Sequence, residues 1–294
     1  MKNIIPFDQR DGFIWYNGSF VPWKDAKVHV LNHGLHYGSS VFEGERAYGG
    51  KIFKMTEHSK RLHKSAEILG FKIPYSVEKL DEVKKECLIK QNLTDAYVRA
   101  FAWRGSEKMA IGAKNTSIHV AVACWQWPSY YGEEMKKLGL KLKIARYKRP
   151  SPEMAPVAAK AAGLYMICTI SKNEAEDLGY DDAVMLDYRG FIAEATGANL
   201  FFITRNNELH TPLADCFLNG ITRQTVIEIA KNLGIKVVER HIKLEELSEM
   251  QDAFLTGTAA EITRIKSIDD KYSFPVISKV TLDLMNAYKE LVGK

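Results

Sequence analysis

Residues 156–170 read PVAAKAAGLYMICTI, a run of small and apolar side chains around a single charge, Lys160. How this run is read decides the fold. A lysine on an alanine-rich helix can lead its ammonium out to water along its stem, and the segment is then one more helix of a globular layer. A lysine that attacks a carbonyl must instead spend time as a neutral amine, which apolar surroundings favour by withholding solvation from the charge. Moving its pKa from about 10.4 to near 7.5 takes roughly 4 kcal/mol, which a dry pocket can supply. The choice between the two rests on the flanking sequence.

Downstream, Leu164 to Leu178 reads as a helix closed by Gly179. The strand LKLKIARY precedes the lysine, and AVMLD and FIAE flank a turn at Tyr188-Arg189-Gly190. NLFFIT with ELHTP forms a further hairpin, and GITRQTVIEIAKNLGI is a helix opened by Gly220 and closed by Gly234. Upstream, IWYNGSFV places two β-prone runs around Asn17-Gly18, both tolerant of positive φ. Thr56 to Leu69 and Val77 to Gln91 read as amphipathic helices, and AYVRAFAW and SIHVAVACWQW as strands. The Pro- and Gly-containing WPSYYGEEMKK suits a connection. The expected organisation is a small N-terminal α/β domain over 1–126, an interdomain loop over 127–137 and a larger C-terminal domain over 138–294. Strands interspersed with helices in both halves indicate an α/β or mixed α+β protein.

Composition narrows the function classes. At 294 residues, 46% hydrophobic and 26% charged, the chain is ordinary for a soluble globular protein. It has no apolar run near the roughly 20 residues of a membrane span. The start MKNIIPFDQRDGF lacks an apolar core followed by a small-residue cleavage site, which argues against secretion. A net charge of +5, spread along the chain, is too mild to imply nucleic acid. Cys87, Cys124, Cys168 and Cys216 are scattered, without CxxC spacing or clustered histidines, so neither a zinc site nor a disulfide framework is indicated. Free thiols fit a reducing cytoplasm.

Several residues could carry chemistry. The first turn of the helix at NGITRQT exposes backbone N–H groups beside the Thr222 hydroxyl, a generic anion site that every helix start offers. In FLTGTAAEIT a strand ends in Gly257 and Thr258, where small residues let a ligand approach and the hydroxyl can donate; an ordinary turn would look the same. Glu194, at a strand end in a Gly- and Ala-rich stretch, is either a surface carboxylate or the partner of a cationic ring nitrogen. Arg61 is either a solvated basic residue or a phosphate ligand. In AYVRAFAW the two-residue period puts Tyr97, Arg99, Phe101 and Trp103 on one face. An arginine there needs a partner, which a structural ion pair or a substrate carboxylate can provide.

HGLHYGSSVFEGERAY, RLHKSAEIL, AYVR, AAKAAGLY, GFIAEATGANLFF, NGITRQTVIEIAKNLGI and LTGTAAEIT, in this order over residues 14 to about 270, together resemble the branched-chain amino acid aminotransferases, pyridoxal 5′-phosphate enzymes of the class IV aminotransferase fold. The resemblance implies that Lys160 forms the internal aldimine, that Tyr165 bonds the ring hydroxyl and that Glu194 pairs with the ring nitrogen. It further implies that Arg61, the amides of Ile221 and Thr222, and Thr258 hold the phosphate, while Leu218 packs on the ring. For substrate it implies Tyr97 with the backbone at Thr258 and Ala259 for the α-carboxylate, and Arg99 with Tyr130 and a neighbouring subunit's Tyr37 for the distal carboxylate of glutamate or 2-oxoglutarate. Phe42, Trp127 and Tyr165 would wall the apolar pocket. The implied activity is transamination of leucine, isoleucine and valine with 2-oxoglutarate by a cytoplasmic homodimer or larger assembly.

Two stretches depart from that pattern. WRGSEKMAIGAKN differs from the Gly-rich loop usual after the YxR strand, and EATGAN has Ala195 where glycine is commoner. These changes motivate a broadened range, reaching aromatic amino acids or (R)-amines. The alternatives of the same fold are D-amino acid transaminase and aminodeoxychorismate lyase. The Arg-x-His trap usual in the D-amino acid enzymes is missing from SEKMAIGAKN, which favours L-substrates.

Overall fold

The computed structural model describes residues 5–127, 135 and 138–294. The chain divides into two compact units, Met1–Pro128 with Ala159–Gly163, and Ser129–Ala158 with Leu164–Lys294. In the first unit, β1 (Phe13–Tyr16) and β2 (Ser19–Pro22) form the expected hairpin, with Asn17 and Gly18 at φ 48° and 102°. Beyond it come α1 (His33–Tyr37), β3 (Ser40–Phe42), β4 (Glu45–Tyr48), β5 (Lys51–Ile52), α2 (Met55–Ile68), α3 (Val77–Lys90), β6 (Ala96–Arg104) and β7 (Ile118–Gln126). The sheet is antiparallel, in the order β2-β1-β7-β6-β4-β5, with β3 also paired to β6.

Strand β6 organises this unit because its two faces differ. Val98, Ala100 and Ala102 point into a core with Leu62 and Ala66 of α2 and with Leu80, Val83, Cys87 and Leu88 of α3. Each fully buried Leu or Val contributes about 1.5–3 kcal/mol, enough to hold both helices on this face. The Ser76 hydroxyl caps α3 by accepting from the Lys79 N–H. The other face of β6 carries the polar and aromatic row that alternation predicts.

The second unit holds β8 (Leu140–Ile144), α4 (Tyr165–Asp177), β9 (Asp182–Leu186), β10 (Ile192–Ala195), β11 (Asn199–Thr204), β12 (Leu209–Pro212), α5 (Ile221–Asn232), β13 (Val237–Arg240), β14 (Met250–Gly257), β15 (Glu261–Ile268), β16 (Tyr272–Ser273) and α6 (Lys279–Val292). Its sheet runs β10-β9-β8-β15-β14-β11-β12-β13, with β16 on β15. A pairing of β10 with β11 at Glu194 and Asn199 closes six of these strands into a ring around Leu140, Leu142, Val184, Leu200, Phe202, Leu255 and Ile265. Closure removes two strand edges and brings Glu194, Asn199, Thr256 and Ile262 into one cross-strand row.

The lysine segment departs from the expected domain layout. Ala159–Gly163 groups with the first unit, although 138–294 is expected to be one domain. The reason is local hydrogen bonding. Val41 and Ala161 form an isolated β-bridge, and the Phe42 N–H donates to the Lys160 carbonyl at 3.1 Å. Of the expected 127–137 connection, residues 128–134, 136 and 137 lie outside the described residues.

Candidate active site

Lys160 sits where β3 and α2 meet the returning chain. Its carbonyl accepts from Phe42, its own N–H donates to Ser65 Oγ at 3.0 Å, and Ala159 and Ala161 beside it are buried. The small residues have a steric reason. A Cβ on Gly38 (φ 65°) would lie 3.0 Å from the Gly163 Cα, so this close approach and the left-handed backbone both favour glycine at 38, whereas a Cβ on Gly163 would meet only ordinary contacts. Lys160 Nζ lies 4.9 Å from the centroid of the Phe42 ring. Withdrawal of water and then the Arg61 guanidinium push its ammonium down to about 8; Glu43 and Tyr97 oppose this and Arg99 adds to it. The ammonium is therefore less favoured here than on an open surface.

Arg61 is held by a residue that sequence reasoning missed. Glu43 is fully buried; it accepts from Arg61 Nε at 2.7 Å and from Arg61 Nη2 at 2.8 Å, and its Oε2 lies 2.6 Å from His58 Nδ1. Burial alone would raise its pKa, but Arg61 and His58 outweigh it and hold the carboxyl well below the usual range. The only sequence signal was an acid inside the apolar run VFEG.

The aromatic face of β6 forms as expected. Arg99 Nη2 donates to Tyr97 Oη at 3.1 Å, and its guanidinium lies 4.6 Å from the Phe42 ring centroid and 5.3 Å from that of Tyr97. Trp127 packs 5.3 Å from Tyr97. Among the described residues no carboxylate pairs with Arg99, and its buried Nε finds no hydrogen-bond partner. Tyr37 is 46% exposed on α1, its ring 4.7 Å from that of His33. Tyr130 lies outside the described residues.

The second unit carries the other expected ligands. Glu194 is buried, 3.1 Å from Arg149 Nε and 3.5 Å from Asn199 Nδ2. Asn199 also donates to the Leu218 carbonyl at 3.0 Å and accepts from the Gly220 N–H at 3.1 Å. A side chain on Gly220 would strike Asn199 Oδ1, since its Cβ would lie 2.2 Å away. One amide thus ties the carboxylate to the loop that opens α5. No side chain caps that helix, so Ile221 and Thr222 present a first turn without a capping acceptor. Buried Arg223 braces it by donating to Asn219 Oδ1, the Pro212 carbonyl and Glu239. Thr258 and Ala259 are half-buried at the β14–β15 turn, Leu218 is half-buried, and Tyr165 opens α4. Thr256 Oγ1, in the row with Glu194 and Asn199, is buried and has no hydrogen-bond partner among the described residues. Arg149 escaped sequence reasoning because Glu194 is far from it along the chain, and Asn199 and Arg223 because the loop and strands they join meet only in the folded unit.

The profile of the amino-transferase class IV family matches residues 40–268. A protein of Rickettsia bellii named "Probable branched-chain-amino-acid aminotransferase" is 48% identical over 258 residues, 87% of each chain. The branched-chain amino acid aminotransferase of Escherichia coli superposes with a TM-score of 0.92 at 37% identity, covering 96% of this chain and 95% of that one. The branched-chain amino acid aminotransferase of Thermobaculum terrenum, in its PLP-bound holo-form, gives 0.87 at 27% identity over 96% of this chain and 94% of that one. With most of its length matched by profile, by sequence and by structure, the chain belongs to the class IV aminotransferases.

Proposed function

We propose that this protein is a pyridoxal 5′-phosphate-dependent aminotransferase of branched-chain L-amino acids, with 2-oxoglutarate as amino acceptor. One observation carries the reading: Lys160, at a pKa of about 8, shares its surroundings with Arg61 and with Arg99, an arginine lacking a carboxylate partner among the described residues. At pH 7 roughly a tenth of such a lysine is neutral, against about one part in three thousand at a pKa of 10.5.

The residues fit the cofactor. Arg61 and the uncapped start of α5 suit a phosphate dianion, Glu194 suits a ring cation, and the buried Thr256 hydroxyl leaves a bond to be made. When bound, the cofactor supplies an aldehyde for the amino group and an electron sink that acidifies the substrate Cα–H. Lys160 Nζ would take that proton from Cα and deliver it to the cofactor carbon that bore the aldehyde, so that hydrolysis can release the 2-oxo acid. Arg61, the amides of Ile221 and Thr222, and Thr258 hold the phosphate; Leu218 packs on the ring and Tyr165 bonds its hydroxyl. Tyr97, with the backbone of Thr258 and Ala259, orients the α-carboxylate. Phe42, Trp127 and Tyr165 exclude water from an apolar substrate side chain. Arg99, with Tyr130 and with Tyr37 of the partner subunit, takes the distal carboxylate of the acceptor.

The reading includes a homodimer. Val30, Leu31, Leu35, Tyr37, Met109 and Ile111 of the first unit are exposed large hydrophobics, which a second subunit would cover. It also places the enzyme in the cytoplasm, where its four buried cysteines stay as free thiols. Among the described residues no helix is long and apolar enough to cross a membrane.

The purified protein is expected to be yellow, and borohydride should fix the cofactor on Lys160 in the peptide map. L-leucine should bleach the unreduced protein and 2-oxoglutarate restore it. Arg99→Ala should raise KM for 2-oxoglutarate at least tenfold and that for leucine less than threefold. Labelling at another lysine, or equal effects on both substrates, would overturn the assignment.

A further inference from the structure

The backbone of Lys160 is held at two points, and one of them is a side chain. Its carbonyl is bonded by strand β3 through Phe42, but its N–H faces α2, whose interior carbonyls are committed to intrahelical bonds. Only a side chain of that helix can accept there. Ser65 does so at 3.0 Å and is itself 1% exposed. It lies one helical turn beyond Arg61, four residues on and on the same face, and Arg61 is fixed in turn by Glu43. Helix α2 therefore carries both the hold on the Lys160 amide and the guanidinium that lowers the Lys160 pKa. A small rotation of the lysine backbone is magnified along the four-carbon stem, and a misplacement of about 1 Å can cost 10²-fold in a reaction that needs alignment.

We propose that Ser65 is a positioning residue for Lys160: its Oγ fixes the lysine amide so that Nζ meets the cofactor aldehyde carbon in line for bond formation. This rests on the reading that Lys160 carries the cofactor. In that condensation a bond forms between Nζ and the aldehyde carbon. The carbonyl oxygen leaves as water with the two amine protons, and no electrons are exchanged with another reagent. Ser65 touches neither reacting atom and acts through the lysine backbone alone.

Pyridoxamine 5′-phosphate separates this role from a packing role. It shares the ring and phosphate of the aldehyde form but has no aldehyde, so it occupies the site without a bond to Lys160. Dissociation constants for both forms are measured by absorbance and fluorescence on the full chain stripped of cofactor, for wild type, Ser65→Ala and Ser65→Cys. Ser65→Ala is expected to weaken the aldehyde form roughly 10-fold, the worth of about one buried hydrogen bond, and to leave the amine form within about twofold. Ser65→Cys, whose sulfur is a weaker acceptor of nearly the same size, should fall between wild type and Ser65→Ala; if the alanine variant does not fold, it carries the same comparison. Equal weakening of both forms, or unchanged affinity for the aldehyde form, overturns the role of Ser65. A wild-type protein that binds both forms equally, with no borohydride label on Lys160, overturns the assignment of Lys160 instead.

Discussion

Replacing Glu43 with glutamine tests the electrostatic frame of the first unit. The carboxylate is fully buried and accepts two bonds from Arg61, whose side chain is 16% exposed, with His58 on its second oxygen. Glutamine keeps the shape but turns an amide donor toward a guanidinium donor and leaves the arginine without its counter-charge. Removing one partner of a buried pair costs about 3–5 kcal/mol, and the residual exposure of Arg61 points to the lower end, roughly 3 kcal/mol. At about 2–4 °C per kcal/mol this lowers Tm by roughly 6–12 °C. The effect must also depend on pH with a defined sign. The folded pKa of Glu43 lies below its unfolded value near 4.5, so its stabilisation is fully present above about pH 5 and is lost as pH falls toward the folded pKa. Glutamine takes up no proton, so the gap between wild type and E43Q should close by about 1 kcal/mol on going from pH 7 to pH 4. Urea denaturation of the cofactor-free proteins, followed by tryptophan fluorescence, measures the gap at both pH values. A gap under about 1 kcal/mol at pH 7, or one no smaller at pH 4, would refute the reasoning.

Three further outcomes follow from these contacts. The Lys160 ammonium is pushed down to about 8 from 10.5 by loss of water and by Arg61; reductive methylation of the cofactor-free protein should therefore modify it along a curve with its midpoint near pH 8, while surface lysines follow near 10.5. The unfolded chain binds this proton more tightly, so the lysine destabilises the fold below pH 8 and the penalty disappears as pH rises toward 10.5; a denaturation midpoint insensitive to Lys160→Met across that range would contradict the assignment. Asn199→Ala removes the amide that joins Glu194, Leu218 and Gly220. It should weaken pyridoxal and pyridoxamine 5′-phosphate alike, by about 10-fold, in contrast to the selective loss expected at Ser65, and titration calorimetry distinguishes the two patterns.

Local physics made part of this protein legible. Helix α2, expected over 56–69, occupies Met55–Ile68, and α3, expected over 77–91, occupies Val77–Lys90. Both are set by apolar spacing and by stops that act within a turn or two. The positive-φ pair Asn17-Gly18 specified its hairpin, and the period of β6 specified which residues share a face with Arg99. The family blocks located Lys160, Arg61 and Glu194. The contacts that each of them makes are non-local. Glu43 reaches Arg61 across 18 residues of chain and Ser65 reaches Lys160 across 95. Strand β3, absent from the sequence reading, draws the lysine segment into the first unit. Asn199 meets Glu194 only because the ring of strands closes there. Sequence pattern alone determined which stretches form helices and strands and which side chains share a face, because a helix or strand period needs only neighbouring residues. Tertiary structure decided their electrostatic surroundings and how the Lys160 backbone is anchored, because desolvation, ion pairing and a borrowed hydrogen bond each need a partner that only the folded chain brings within reach.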